Sequence, residues 1–305
     1  MLSNKLNIGE TIGIISPSAP ITQELKEQFN RGLQVFKDMG FKIKLSKNIY
    51  ANTLGYSSTV SEKVEDINEM FANKEVKAII CSQGGQNSNS ILPYIDYEVI
   101  KNNPKIIMGI SDSIAILNAI YAKTGIITYH QNDIIWGLGS EVSEKEVNDF
   151  KLRLIDGKNG KVEHFTKWSC LKDGIVEGVL VGGNLSTLVK LLKTEYCPDF
   201  NNKILFLEEY ADESPLDEVD SKINILKQHK VFEKIKGLWI GYYEKDTEIA
   251  KFEDVIMNNL KEYTFPIIKC NDFGHNCENV VIPIGAKIKL DATNCEVEII
   301  ERTLN

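Results

Sequence analysis

The chain has 305 residues, longer than one typical domain, so two domains are the first expectation. Hydrophobic residues make up 43% and charged residues 26%, the balance of a globular protein that buries a real core. The net charge of −8, with lysines interleaved among acids, argues against a nucleic-acid partner, which draws on clustered basic residues.

The N-terminus, Met1-Leu2-Ser3-Asn4-Lys5, is too polar for the apolar core of a signal peptide. Thr11–Ile15 reads as a short buried strand stopped by the rigid Ser16-Pro17-Ser18-Ala19-Pro20. Leu25, Phe29, Leu33 and Phe36 recur at helical spacing between Thr22 and Met39, with Gly40 as the stop. Phe41–Leu45 alternates like a strand, and Thr59 with Glu62 forms a capping box ahead of the next helix. Val76–Ile80 and Lys105–Gly109 are two further buried strands. The second runs into Ser111-Asp112-Ser113 and an apolar helix reaching about Lys123. Strands alternating with helices predict parallel βαβ units.

Beyond the charged stretch 141–161 the pattern changes. A Gly-rich strand spans Gly174 to Gly183, a helix Leu185 to Lys193, and a buried strand Ile204–Leu207. A helix over Asp217–Gln228, a strand over Leu238–Gly241 and two alternating C-terminal segments complete a mixed α+β section. The predicted division is an N-terminal α/β domain with a flavodoxin-like parallel sheet over 1–160. A C-terminal mixed α+β domain covers 161–305. No run of 18 apolar residues occurs, so no membrane helix is expected. The six cysteines form no C-x-x-C pair and read as reduced thiols of a cytoplasmic protein.

Open parallel sheets bind ligands beyond the carboxyl ends of their strands. At Gly109-Ile110-Ser111-Asp112 a strand turns directly into a helix, which raises the Ser111 hydroxyl near the positive end of a helix dipole. The Asp112 amide points toward the same spot and offers an oxyanion donor. Ser111 or Asp112 also serves as a simple helix cap, and the motif alone favours that. Gly84-Gly85 either lets backbone amides approach a substrate or only makes a tight turn.

A nucleophilic serine needs a base, and the chain has four histidines. His164 and His229 lie in charged segments; His130 ends an apolar run; His275 sits in a polar loop between apolar strands. Any one loop histidine reads first as a solvated side chain. Glu208 and Glu209, directly after Ile204–Leu207, are the candidate acids, and local sequence does not separate them. No H-x-x-x-H pair or Cys/His cluster suggests a metal. A cysteine nucleophile at Cys81 has no histidine tied to it.

Together these segments resemble the family of LD-carboxypeptidases and microcin C self-immunity proteins. The resemblance runs from Gly13–Pro20 through Gly84-Gly85, Leu92–Tyr97, Pro104–Asp112 and Thr124–His130. It continues with Gly182–Leu185, Ile204–Glu208, Phe273–His275 and Pro283–Gly285. It implies a Ser-His-Glu triad in the cleft between the two domains, Ser111 from the first and Glu208 and His275 from the second, with the amides of Gly85 and Asp112 as oxyanion hole. It also implies a homodimer without metal or cofactor. The expected substrate is a murein tetrapeptide that releases D-Ala. The alternatives are a peptidyl or aminoacyl nucleotide, as for microcin immunity, and a catalytically silent binding protein. Gln83 and Gln86 replace the Arg and aromatic of the carboxypeptidase branch, whereas Phe273-Gly274-His275 is closer to that branch. The segment between Trp136 and Trp168 is short for the immunity proteins' base-stacking loop.

Overall fold

Four short buried segments and one alternating segment, Lys42–Leu45, which takes an edge, build the first sheet. Strands β1 (Thr11–Ile15), β2 (Lys42–Leu45), β3 (Val76–Cys81), β4 (Ile106–Gly109) and β5 (Thr128–His130) pair in parallel in the order β2-β1-β3-β4-β5. The computed structural model describes residues 1–246 and 249–305. Helices α1 (Lys26–Asp38), α2 (Val60–Ala72), α3 (Tyr97–Asn102) and α4 (Ile114–Thr124) supply the crossovers. The first helix starts later than its periodicity predicts, because residues 22–25 form a turn instead. It buries Phe29, Leu33 and Phe36, each worth roughly 1.5–3 kcal/mol of burial. The Thr59–Glu62 capping box forms in full at the start of α2.

The 141–161 stretch is not merely charged loop. Ser143 and Glu146 form a second capping box for α5 (Glu144–Phe150). The remaining strands are β6 (Gly160–Lys161), β7 (Ser169–Lys172), β8 (Ile175–Asn184), β9 (Lys203–Glu208), β10 (Gly237–Ile240), β11 (Ile267–Lys269), β12 (Ile282–Ile284), β13 (Lys287–Asp291) and β14 (Glu296–Ile299). All but β12 form a mixed sheet in the order β6-β14-β13-β8-β9-β10-β11-β7 among the described residues. Helices α6 (Leu185–Leu191), α7 (Leu216–Gln228) and α8 (Phe252–Asn259) pack on it over Leu188, Val219, Ile223, Leu226 and Ile256.

Strand β12 leaves this second sheet and closes the edge of the first, antiparallel to β5, with Ile282 opposite His130. Any division of the chain near residue 160 is crossed by this strand. One apolar core also spans both sheets, joining Ile15, Ile107 and Ile114 to Phe206, Trp239 and Phe273. The loop 270–281 therefore runs from one sheet to the other over a shared core. No helix among the described residues is long and apolar enough to cross a membrane.

Candidate active site

In a β2-β1-β3-β4-β5 sheet the strand order reverses between β1 and β3, where loops part and leave a crevice. The loops after β1, β3 and β4 meet there, facing the loop 270–281 and the end of β9. Between them lies a cavity of about 720 Å³ lined by Gly84, Gly85, Ser111, Asp133, Tyr210 and His275, among others.

Ser111 has φ +61°, a left-handed conformation that costs an ordinary residue about 1–2 kcal/mol. Such strain persists where the surroundings hold it, and it turns the side chain out of the helix start. Gly84 makes room: a β-carbon on it would lie 2.7 Å from Ser111 Cβ and 2.8 Å from Ser111 Oγ. Gly84→Ala is therefore expected to displace Ser111 and lower kcat about a hundredfold. Steady-state kinetics beside a thermal melt would check this, and an unchanged kcat would refute it. Gly85, at φ +145°, brings its backbone against the Ser18–Ala19 loop, where a side chain would clash with the Ala19 amide.

The ring of His275 donates through Nδ1 to Glu208 Oε2 at 2.7 Å, which leaves Nε2 as the free ring nitrogen. Glu208 is the last residue of β9 and fully buried. Burial works against both charges of this pair, but their attraction and hydrogen bond outweigh it. His275 is raised to about 9 and Glu208 is lowered. Tyr210 stacks on the imidazole with ring centres 4.8 Å apart. No hydrogen bond joins Ser111 to His275 among the described residues, although both face the cavity. Catalytic hydrogen bonds are often long in unliganded sites and tighten around substrate.

Glu209 is turned the other way, as alternate strand positions are. It accepts from Asn184 Nδ2, the Ser186 amide and hydroxyl, and the Tyr210 amide. The Asp112 side chain is turned into the protein and does not reach the cavity. Its buried carboxylate accepts from the Ser18 hydroxyl and the Ser88 amide, both at 2.6 Å. His130 lies behind the site, edge-on to Phe206 and Phe273, and burial pulls its pKa down to about 4. Cys81 is sealed in β3, its thiol pushed up to about 12 by burial, so it is no nucleophile. His164 stacks on Trp168 at 4.0 Å, away from the cavity lining.

Sequence reasoning missed Asp133, Trp136 and Tyr210. Asp133 caps the turn that follows β5 by accepting from the Trp136 and Gly137 amides, and burial raises it to about 6. Trp136 is 58% exposed at the cavity rim, its indole N–H donating to Gln83 Oε1 at 3.0 Å. An Asn-Asp pair three residues before an exposed tryptophan was the available signal. No group of three or more His, Cys, Asp or Glu among the described residues is arranged to hold a metal ion.

Residues 12–131 match the LD-carboxypeptidase N-terminal domain, and residues 177–290 match the LD-carboxypeptidase C-terminal domain. The chain belongs to the LD-carboxypeptidase family. Within it, the microcin C7 self-immunity protein MccF of Escherichia coli is 30% identical over 336 residues, covering 100% of this chain and 97% of that protein. A probable murein peptide carboxypeptidase of Bacillus subtilis is 29% identical over 293 residues, 94% of this chain and 90% of that one. The structure of MccF in complex with glutamyl sulfamoyl guanosine superposes with a TM-score of 0.92 at 29% identity, covering 100% of this chain and 99% of that one. This LD-carboxypeptidase family member is accordingly a hydrolase, of the kind that acts as a peptidase or on aminoacyl nucleotides.

Proposed function

We propose that the chain is a serine carboxypeptidase that hydrolyses the C-terminal amide of a short peptide, releasing D-Ala from murein tetrapeptides. The observation that carries this is the His275–Glu208 pair, 2.7 Å apart, opening on the same cavity as a conformationally strained Ser111. Ser111 Oγ attacks the carbonyl carbon while His275 Nε2 takes its proton, and Glu208 fixes the tautomer. The amides of Gly85 and Asp112 hold the oxyanion. His275 then gives its proton to the leaving amine, and water, activated by the same base, releases the acyl group. A cytoplasmic homodimer that needs no cofactor belongs to the same proposal, and the six free cysteines are in keeping with a reducing compartment.

Asp133, Glu141, Glu146, Glu213 and Glu278 line the cavity, with no lysine or arginine among the described lining residues, so a nucleotide's phosphate and a peptide's terminal carboxylate alike would enter against that charge. A second reading, hydrolysis of an aminoacyl or peptidyl nucleotide, is favoured by the end-to-end likeness to MccF and by the exposed face of Trp136, on which a base would stack. Incubating the protein with a tetrapeptide muropeptide and, separately, an aminoacyl-nucleotide conjugate is expected to release D-Ala from the first. Turnover of the conjugate alone would overturn the substrate while leaving the serine mechanism in place.

A further inference from the structure

Lys190 sits on α6, in the layer packed on the second sheet, yet its ammonium bonds only to loops of the first. Nζ donates to the Gln86 carbonyl at 3.0 Å, to Gln86 Oε1 at 3.1 Å and to Asp112 Oδ1 at 3.2 Å. That occupies all three of its donors. The loops after β1, β3 and β4 converge on the same carboxylate. Ser18 and Ser88 bond to Asp112 Oδ2, and the Ser88 hydroxyl bonds back to the Asp112 carbonyl at 2.6 Å. Gln86 is held from its far side as well, donating to Glu213 Oε2 at 2.5 Å.

The Asp112 charge lies one residue beyond Ser111, wholly out of water. Left bare, it would oppose a second negative charge developing on a tetrapeptide carbonyl beside Ser111, since buried charges are weakly screened. Lys190 is its ion-pair partner. The other nearby cation, Lys63, is spent on Asn87 Oδ1 and Ser90 Oγ.

We propose that Lys190 is a positioning residue for acyl transfer: it neutralises Asp112 and ties the Gly85–Gln86 segment to it, so that both oxyanion amides stay aimed at the carbonyl oxygen. This rests on the serine-hydrolase reading of the site. It separates the groups that bind substrate, which Lys190 does not touch, from those that stabilise the transition state.

The test is the rate at which a fluorophosphonate phosphonylates Ser111 with loss of fluoride, followed by mass spectrometry, together with kcat and KM on the tetrapeptide. Lys190→Met is expected to slow labelling and lower kcat by about tenfold or more, with KM within about twofold; the melting temperature falls as buried Asp112 loses its partner, so both rates are read well below it. Lys190→Arg, which keeps the charge and several donors, is expected to restore most of both rates. Should the methionine variant fold poorly, Lys190→Gln gives the same comparison with a polar side chain. Labelling and kcat within twofold of wild type overturn the proposal, as does a loss that appears in KM instead of kcat. Absence of labelling at Ser111 in the wild type overturns the serine reading and this inference with it. That result is distinct from a Lys190→Met protein that labels at the wild-type rate.

Discussion

Ser111→Ala is expected to lower kcat by about 10⁴- to 10⁶-fold, the range in which serine triads fail when the nucleophile is removed. The loss should be confined to chemistry. Ser111 Oγ faces the cavity and carries no hydrogen bond of the fold, so its removal leaves no buried group unpaired. Alanine keeps the left-handed backbone at φ +61° and its strain. Ser111→Gly, equally inactive, is expected to be more stable by roughly 1 kcal/mol, because glycine adopts that conformation freely. Substrate affinity in both variants, measured by calorimetry, should stay close to wild type. A Ser111→Ala protein that keeps its biological effect would instead mark a binding protein on a hydrolase fold.

The second large effect concerns pH. His275 must be neutral to accept the Ser111 proton, and its pKa is raised to about 9, chiefly by Glu208 acting against burial. The base form therefore accumulates only as pH rises. Below that value kcat/KM is expected to climb about tenfold per pH unit and to level off near 9. Glu208→Gln removes the charge that holds the proton on His275. The midpoint should move to lower pH, while the plateau falls by about 10⁴-fold through loss of the correct tautomer. Glu209→Gln is the control. Its partners are Asn184, Ser186, Tyr210 and Lys222, so it should cost stability, and because its charge adds to that of Glu208 it should lower the midpoint less than Glu208→Gln does. A rate flat from pH 5 to 8 in the wild type would remove His275 from the mechanism.

The first sheet was largely legible in the sequence. Its strands are short apolar runs ended by Pro, Gly or Ser, and the Thr59–Glu62 box marks its helix unambiguously. Strand β12 was not legible. Three residues centred on Pro283 carry no alternation, and proline argues against a strand except at an edge, which is where this one lies. Helix α5 was hidden because its exposed charged face dominates a seven-residue segment. The choice between Glu208 and Glu209 depends on which face of β9 meets a loop far away in the chain. No local pattern encodes that, and the resemblance supplied it. For Ser111, capping and nucleophilic readings share the same local residues; its positive φ and the glycine against it appear only in three dimensions. Nothing local in the sequence marks Lys190, since its partners belong to two other loops.

The passage of β12 into the first sheet bears on how the protein moves. Many two-layer enzymes admit substrate by swinging one half away from the other about a hinge. Here His275 rides on a strap fastened at both ends, with β11 in one sheet and β12 in the other, above a core common to both. A jaw-like opening would have to break the β12–β5 ladder. Substrate and product must therefore pass through the cavity mouth of an essentially fixed frame, past Trp136 and Tyr210.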